Sequence, residues 1–388
     1  MIRRKEFFGI VILALICFLF ITFCEKSPTP IHSRSVAFQA IEIEQPRVLN
    51  NHISIEELVN IQRTKLQREL QDYKLPDRES LANLTIEDGG QPIRTVIITT
   101  WRSGSTFLGD ILNALPGNYY HYEPLLDYGI IQIRGPPYSE SALNVMKSLL
   151  NCDYTNLQRY LEFGMSHIYL FTHNKRLWSQ CEAYPDYCWD PDFLNDFCRV
   201  FPFQSMKTVR LRLKLAEELL EDDTLKVKVV LLVRDPRGTL QSRKHRDWCP
   251  GEPDCDQPSY LCSDMVSDYS AAIRLSKLYP TRFKALRYED LSLNPYENVE
   301  SLFDFMGLKV HPAVKDFLDS HTTVNVGGVS STYRDSKNAP FHWRADLSVG
   351  EIQAIEGNCS EAMKLWGYIR SNGSNVKDFY PLSAYDIK

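Results

Sequence analysis

At 388 residues the chain is long enough for one large domain or two ordinary ones. An apolar fraction of 44% supports a sizeable core, and a net charge of −5 excludes binding to nucleic acid through bulk positive charge. Any anion site must therefore be a local concentration of arginine and lysine.

Arg3, Arg4 and Lys5 precede 18 uncharged residues, Phe7 to Cys24. That length just spans a bilayer core. The basic flank predicts a cytosolic tail over residues 1–6, a transmembrane signal anchor over 7–24 and a luminal remainder. A cleaved signal peptide is the rival reading, but its apolar stretch is usually shorter and no A-x-A-like site follows. Residues 25–91 read as a luminal stem. Its first part, "KSPTPIHSRSVAFQ", is Pro- and Ser-rich without pattern. Then Ser54 and Glu57 form a capping box ahead of Ile55, Leu58, Ile61, Leu66 and Leu70 at roughly helical spacing. Such a helix either dimerises or lies on the following domain, and the second reading is preferred. "EDGGQP" at 87–92 breaks the chain before the first strand.

From residue 92 to 388, apolar strand patterns alternate with helical ones. Strands are predicted at 94–100, 207–211, 227–233 and 283–287. Helices are predicted at 105–115, 140–150, 212–221, 238–246, 262–278, 296–306 and 350–366. This alternation predicts a single α/β domain with a central parallel, doubly wound sheet flanked by helices. Cys17 and Cys24 lie in the anchor, and the other eight cysteines form an even set without CxxC pairs. In an oxidising lumen that set predicts disulfides rather than a metal site, with pairings that cannot be read from sequence. N-x-[ST] sequons occur at Asn83, Asn358 and Asn372. A disulfide at Cys359 would hinder glycosylation of Asn358.

Two strand–loop–helix units carry the chemistry. In "TVIITTWRSGSTFLGDILNAL" (95–115) a β-branched run is followed by a loop of small hydroxyl residues with one arginine, then by a helix. This is the architecture of a phosphate cradle at a helix N-terminus, but without the G-x-x-x-x-G-K-[ST] of a P-loop. In "VKVVLLVRDPRGTLQSRKHR" (227–246) a strand ends in Arg234-Asp235-Pro236, and Ser242 follows about two turns into a helix. Ligands of open α/β sheets sit beyond the carboxyl ends of strands, so both loops share one edge. Arg234 offers a fixed fork of donors for a phosphate.

These two units resemble the 5′-phosphosulfate loop and the 3′-phosphate segment of sulfotransferases that use 3′-phosphoadenosine 5′-phosphosulfate (PAPS). "YYHYEPL" (119–125), "MKTVRLR" (206–212), "LRYEDLSLNP" (286–295) and the segment 343–368 extend the resemblance to the Golgi carbohydrate 6-O-sulfotransferases. The likeness runs in order over about residues 93 to 369. It implies that Arg102, Ser103, Gly104, Ser105, Thr106 and Phe107 hold the phosphosulfate, largely through main-chain N–H groups. It implies contacts to the 3′-phosphate from Arg234, Ser242 and Arg334. Arg102 would stabilise charge on the bridging oxygen, since arginine does not readily donate a proton. Glu123, twenty-one residues after Arg102, would take the proton of the acceptor hydroxyl. His121 is its rival, because residues two apart on a strand share a face.

Other polar residues are weaker candidates. Arg210 and Arg212 could meet ligand anions or pair with Glu217 or Glu218. Trp343 could stack or be core, and Arg344 shares its segment. Tyr288 and Glu289 read as support for the sheet edge. The cysteine-rich "RDWCPGEPDCDQPSYLC" (246–262) could form a flap on the acceptor side or a peripheral excursion.

The resemblance thus implies a type II Golgi enzyme. It would transfer a sulfuryl group from PAPS, in line and without a metal, to the 6-hydroxyl of galactose, N-acetylglucosamine or N-acetylgalactosamine. Keratan-, chondroitin- and N-acetylglucosamine-containing glycans are the expected acceptors, and a homodimer is compatible with the stem. The alternatives are a catalytically silent Golgi glycan-binding or scaffold protein and a P-loop-type kinase. The missing Lys-Ser/Thr pair argues against the kinase.

Overall fold

The computed structural model describes residues 53–75, 80–327, 332–371 and 376–387. The anchor, residues 25–52 and 76–79 of the stem and the sequon at Asn372 lie outside the described residues. Among the described residues no helix is long and apolar enough to cross a membrane.

Val96, Ile97 and Ile98 are completely buried, which places the first strand, β1 (Ile93–Ile98), inside the molecule. Four parallel strands join it: β2 (Asn118–Tyr122), β3 (Phe203–Thr208), β4 (Lys228–Val233) and β5 (Phe283–Arg287). Their order is β2-β3-β1-β4-β5. β1 pairs with β3 on one side, Ile98 opposite Thr208, and with β4 on the other, Ile98 opposite Leu231.

Side chains alternate across the pleat, so each strand feeds two cores. Val96, Ile98, Val229, Leu231 and Val233 enter one. Ile97, Val230 and Leu232 enter the other. A sheet covered on both faces needs the near-continuous apolar runs seen in β1 and β4. The first core is closed by helices α1 (Ile55–Glu69) and α3 (Ser139–Leu150), the second by α2 (Ser105–Asn113) and α8 (Pro295–Met306). The capping box of α1 forms, and Leu58, Val59 and Leu66 are buried in the sheet's own core. The helix therefore lies on the domain, and the compact unit begins at Ile53.

β3 sits four residues earlier than the β-branched pattern at 207–211 predicts. Its Gln204, Ser205 and Lys207 are buried, and each finds a partner. Asn118 donates to Ser205 at 2.8 Å, Gln204 Nε2 lies 3.2 Å from Cys152 Sγ, and Lys207 reaches Glu123. Polar groups that find partners can occupy an interior strand, and they hide its pattern. The predicted helix at 350–366 is two helices, α10 (Val349–Asn358) and α11 (Ser360–Leu365), with the break at Cys359.

All eight cysteines beyond the anchor are bonded: Cys152–Cys198, Cys181–Cys188, Cys249–Cys255 and Cys262–Cys359. The last ties the break between α10 and α11 to α6 (Pro258–Leu278).

A buried network fixes the carboxyl ends of β4 and β5. Asp235 caps α5 (Pro236–Lys244) by accepting from the Arg237 N–H at 2.9 Å. The Arg237 guanidinium bridges Asp235 and Glu356, each at 2.7 Å. Glu289, just past β5, accepts from the Asp235 N–H and the Tyr368 hydroxyl, both at 3.0 Å. Burial, reinforced by the Asp235 charge, pushes Glu289 up to about 7. A carboxyl raised on folding stabilises the fold fully below its unfolded value and loses that contribution as pH climbs through the folded one. Stability measured by chemical denaturation should therefore fall between about pH 4.5 and 7, and Glu289→Gln should flatten this part of the profile.

Candidate active site

The order β3-β1-β4 brings the loops after all three strands to one edge. After β1, Arg102 takes the left-handed conformation with φ 66° and Gly104 follows with φ 88°. These two reversals turn the chain sharply into α2. Thr99 Oγ1 lies 2.6 Å from both the Ser103 hydroxyl and the Leu232 carbonyl oxygen, which fixes the loop to β4. Gly104 is required twice over. Its φ disfavours any side chain, and a Cβ would sit 2.2 Å from the Tyr288 ring. No side chain caps α2, whose first-turn N–H groups have no intrahelical acceptor, and Gly104 to Phe107 line the cleft.

After β4, Arg234 reaches back to this loop. Its Nη1 donates to the Arg102 carbonyl oxygen at 2.8 Å, and its guanidinium lies 4.7 Å over the Tyr288 ring. Its buried Nε has no protein partner. Ser242 on α5 accepts from Arg102 Nε at 3.0 Å. The two sequence motifs are thus in direct contact. They line a cleft of about 970 Å³ together with Gly104 to Phe107, Glu123 and Arg334. Ser103 is the exception, since its side chain is buried beneath the loop. Burial, and then the nearby charges of Arg246 and Arg234, pull Arg102 down to about 10. A bound anion would reverse that shift. The arrangement is suited to a phosphate or sulfate group.

Glu123 and His121 do not share a face. β2 ends at Tyr122, and Glu123 has φ 48°. That reversal swings the carboxylate into the cleft and leaves His121 in the interior, edge-on to Tyr119 at 5.0 Å. Burial pulls His121 down to about 3. A neutral imidazole sealed in the core does not reach a ligand.

The Glu123 carboxylate is held on three sides. Oε1 accepts from Lys207 Nζ at 2.5 Å, and Oε2 accepts from Arg210 Nη1 at 3.1 Å and from the Val209 N–H at 3.3 Å. A carboxylate offers about four acceptor positions. One acceptor position, on Oε1, is therefore not taken by these three donors. Burial is the largest single influence and works against the Lys207 charge, but the Glu123 charge and hydrogen bond, with the charges of Tyr122 and Asp110, together hold the ammonium above the ordinary lysine value.

Sequence reasoning missed Lys207 and underrated Tyr288. Lys207 falls within a strand that was itself displaced in the pattern. Tyr288 follows β5 immediately, and an aromatic at the carboxyl end of a strand was the available signal. Arg210 pairs with Glu123, not with Glu217 or Glu218. Arg212 is structural, bonded to Asp268 at 2.9 Å and to the Thr99 carbonyl oxygen at 3.1 Å. Trp343 is fully buried beneath Arg237 and is core. Among the described residues, no group of three or more His, Cys, Asp or Glu could hold a metal ion.

Residues 92–367 match the family model described as Sulfotransferase domain. The chain belongs to the sulfotransferase family. This sulfotransferase is 26% identical over 325 residues to Carbohydrate sulfotransferase 4 of Mus musculus, covering 73% of this chain and 84% of the relative. It is 28% identical over 326 residues to Carbohydrate sulfotransferase 1 of Danio rerio, covering 70% and 77%. It is 25% identical over 323 residues to Carbohydrate sulfotransferase 6 of Homo sapiens, covering 72% and 82%.

Gly104→Ala should cost at least about 1–2 kcal/mol of stability from the left-handed backbone alone. It should also remove most sulfotransferase activity, because Tyr288, which underlies Arg234, must move. Gly89→Ala is the control: φ there is 80°, and nothing lies within 4 Å of an added Cβ. It should show the backbone cost in thermal melts and keep its activity.

Proposed function

We propose that this sulfotransferase moves a sulfuryl group from PAPS to the 6-hydroxyl of galactose, N-acetylglucosamine or N-acetylgalactosamine in glycans. Its setting would be the Golgi lumen, on a type II membrane anchor. The observation that carries the reading is the join between Arg102, Arg234 and Ser242 beside a carboxylate with one acceptor position not taken by its three donors. The three relatives are all named carbohydrate sulfotransferases, which supports a sugar as acceptor.

The donor set fits PAPS. The first-turn N–H groups of α2 and the Arg102 guanidinium suit the 5′-phosphosulfate. Arg234, with its unpartnered Nε, and Ser242 suit the 3′-phosphate, and Arg334 lines the same cleft. In the reaction Glu123 takes the hydroxyl proton while the sugar oxygen forms a bond to sulfur. The bond from sulfur to the bridging oxygen breaks, and adenosine 3′,5′-bisphosphate leaves. Arg102 faces the charge that grows on that oxygen. Lys207 and Arg210 hold the carboxylate in place during the transfer.

Two measurements test this reading. Glu123→Gln keeps the shape of the group but cannot accept the proton. Turnover should fall by about 10²–10⁴-fold, the usual contribution of a general base, with little change in PAPS affinity. His121→Asn should leave turnover intact, and the opposite pattern would move the base to His121. In calorimetry, Arg234→Ala should weaken adenosine 3′,5′-bisphosphate by about 1.5–3 kcal/mol, the range of a charge-assisted hydrogen bond. Affinity for 5′-AMP should change much less, and equal losses for both nucleotides would place Arg234 elsewhere.

A further inference from the structure

One part of the cleft lies outside the residues assigned above to the donor. Val209, whose N–H bonds Glu123, turns its side chain into a small apolar cluster with Trp101, Cys249 and Cys255, flanked by Ile130. The cluster is separate from the two main cores. The Cys249–Cys255 disulfide closes a six-residue step of chain and is itself buried. Trp248 immediately precedes it. The residue is 41% exposed and lines the cleft, and its indole tilts over the Trp101 ring at 6.4 Å.

A single exposed apolar residue means little on a protein surface. Trp248 differs because an apolar path runs from it to the residue that holds the proposed base. The loop is also fixed at its far side. Asp254 accepts from the Gln132 N–H and from Arg134, both at 2.6 Å, and Arg243 donates to the Cys255 carbonyl oxygen at 2.7 Å. A loop held this firmly loses little freedom when a ligand packs on the ring it carries. A pyranose ring suits such a surface, because one face presents C–H groups while its hydroxyls project sideways. An indole offers a large, rigid apolar face to match.

We propose that Trp248 is the acceptor platform. It packs against the apolar face of the sugar whose hydroxyl meets Glu123, and the Cys249–Cys255 disulfide sets its position. The inference rests on the glycan-transfer reading above and adds the residue that selects for a sugar ring.

The test compares full-length wild type with Trp248→Ala, Trp248→Phe and the Cys249→Ser/Cys255→Ser pair. Acceptors are free oligosaccharides bearing terminal galactose, N-acetylglucosamine or N-acetylgalactosamine, and the one wild type uses best is taken for kinetics. Trp248→Ala should raise the acceptor KM about tenfold, with kcat and the PAPS KM within about twofold of wild type. Trp248→Phe should restore most of the loss. The serine pair should raise the acceptor KM as the alanine variant does, and a thermal shift with adenosine 3′,5′-bisphosphate checks that each variant is folded. An unchanged acceptor KM in Trp248→Ala, or a rise confined to PAPS, overturns the platform while leaving the transfer reading standing. Wild-type protein that transfers sulfate to none of the sugars overturns the transfer reading and the platform with it.

Discussion

One main-chain carbonyl holds two like charges together. The Arg102 oxygen accepts from Arg234 Nη1 at 2.8 Å, and that bond joins the loop after β1 to the loop after β4. Unaided, two guanidiniums facing one cleft would separate. Here the left-handed backbone of Arg102 turns its carbonyl toward Arg234, while its own side chain goes to Ser242. Tyr288 lies beneath Arg234 and fills the space a Gly104 side chain would need. The positive φ values, the glycine and the aromatic therefore serve one requirement, which is to crowd cations at one edge of the cleft. The strand order makes this possible, because β1 lies between β3 and β4 and all three loops meet at one edge.

The second charged group follows a different logic. Glu123, Lys207 and Arg210 are all nearly buried, and isolated buried charges are costly. Their mutual bonds, with the Val209 N–H, offset that cost and fix the carboxylate. This explains a lysine in an interior strand. It also explains why Arg210 and Arg212, two residues apart, have different roles. Arg210 turns to the cleft, while Arg212 is drawn to Asp268 on α6.

Much of this was legible in the sequence, and the failures have physical causes. β1 and β4 announce themselves because both faces of the sheet are apolar there, and the loops after them carry their own signatures. β3 was displaced because Ser205 and Lys207 find partners inside the fold and Gln204 sets its Nε2 against Cys152 Sγ, which residue type alone does not reveal. The choice between Glu123 and His121 could not be made by period-two spacing, because the φ of 48° at Glu123 breaks the period. Cystine pairing is a matter of distances across the fold, from the short Cys181–Cys188 step to Cys262–Cys359. Tyr288 was read as support for the sheet edge. It does support that edge, and the surface it supports is the one that carries Arg234.

The chain beyond residue 367 lies outside the family match, yet it completes the same edge of the sheet. Leu382 bridges to Tyr368, and the Ser383 carbonyl oxygen accepts from Arg287 Nη1 at 2.9 Å. The Tyr385 ring packs 4.9 Å from the Arg287 guanidinium. Arg287 ends β5, and Glu289, two residues on, accepts from both Tyr368 and Asp235. Asp235 in turn caps the helix that carries Ser242. A continuous set of bonds thus runs from the C-terminal segment through β5 to the cation pair. A site made of loops from several strands is only as rigid as the layer behind it. Here that layer includes residues no motif would select.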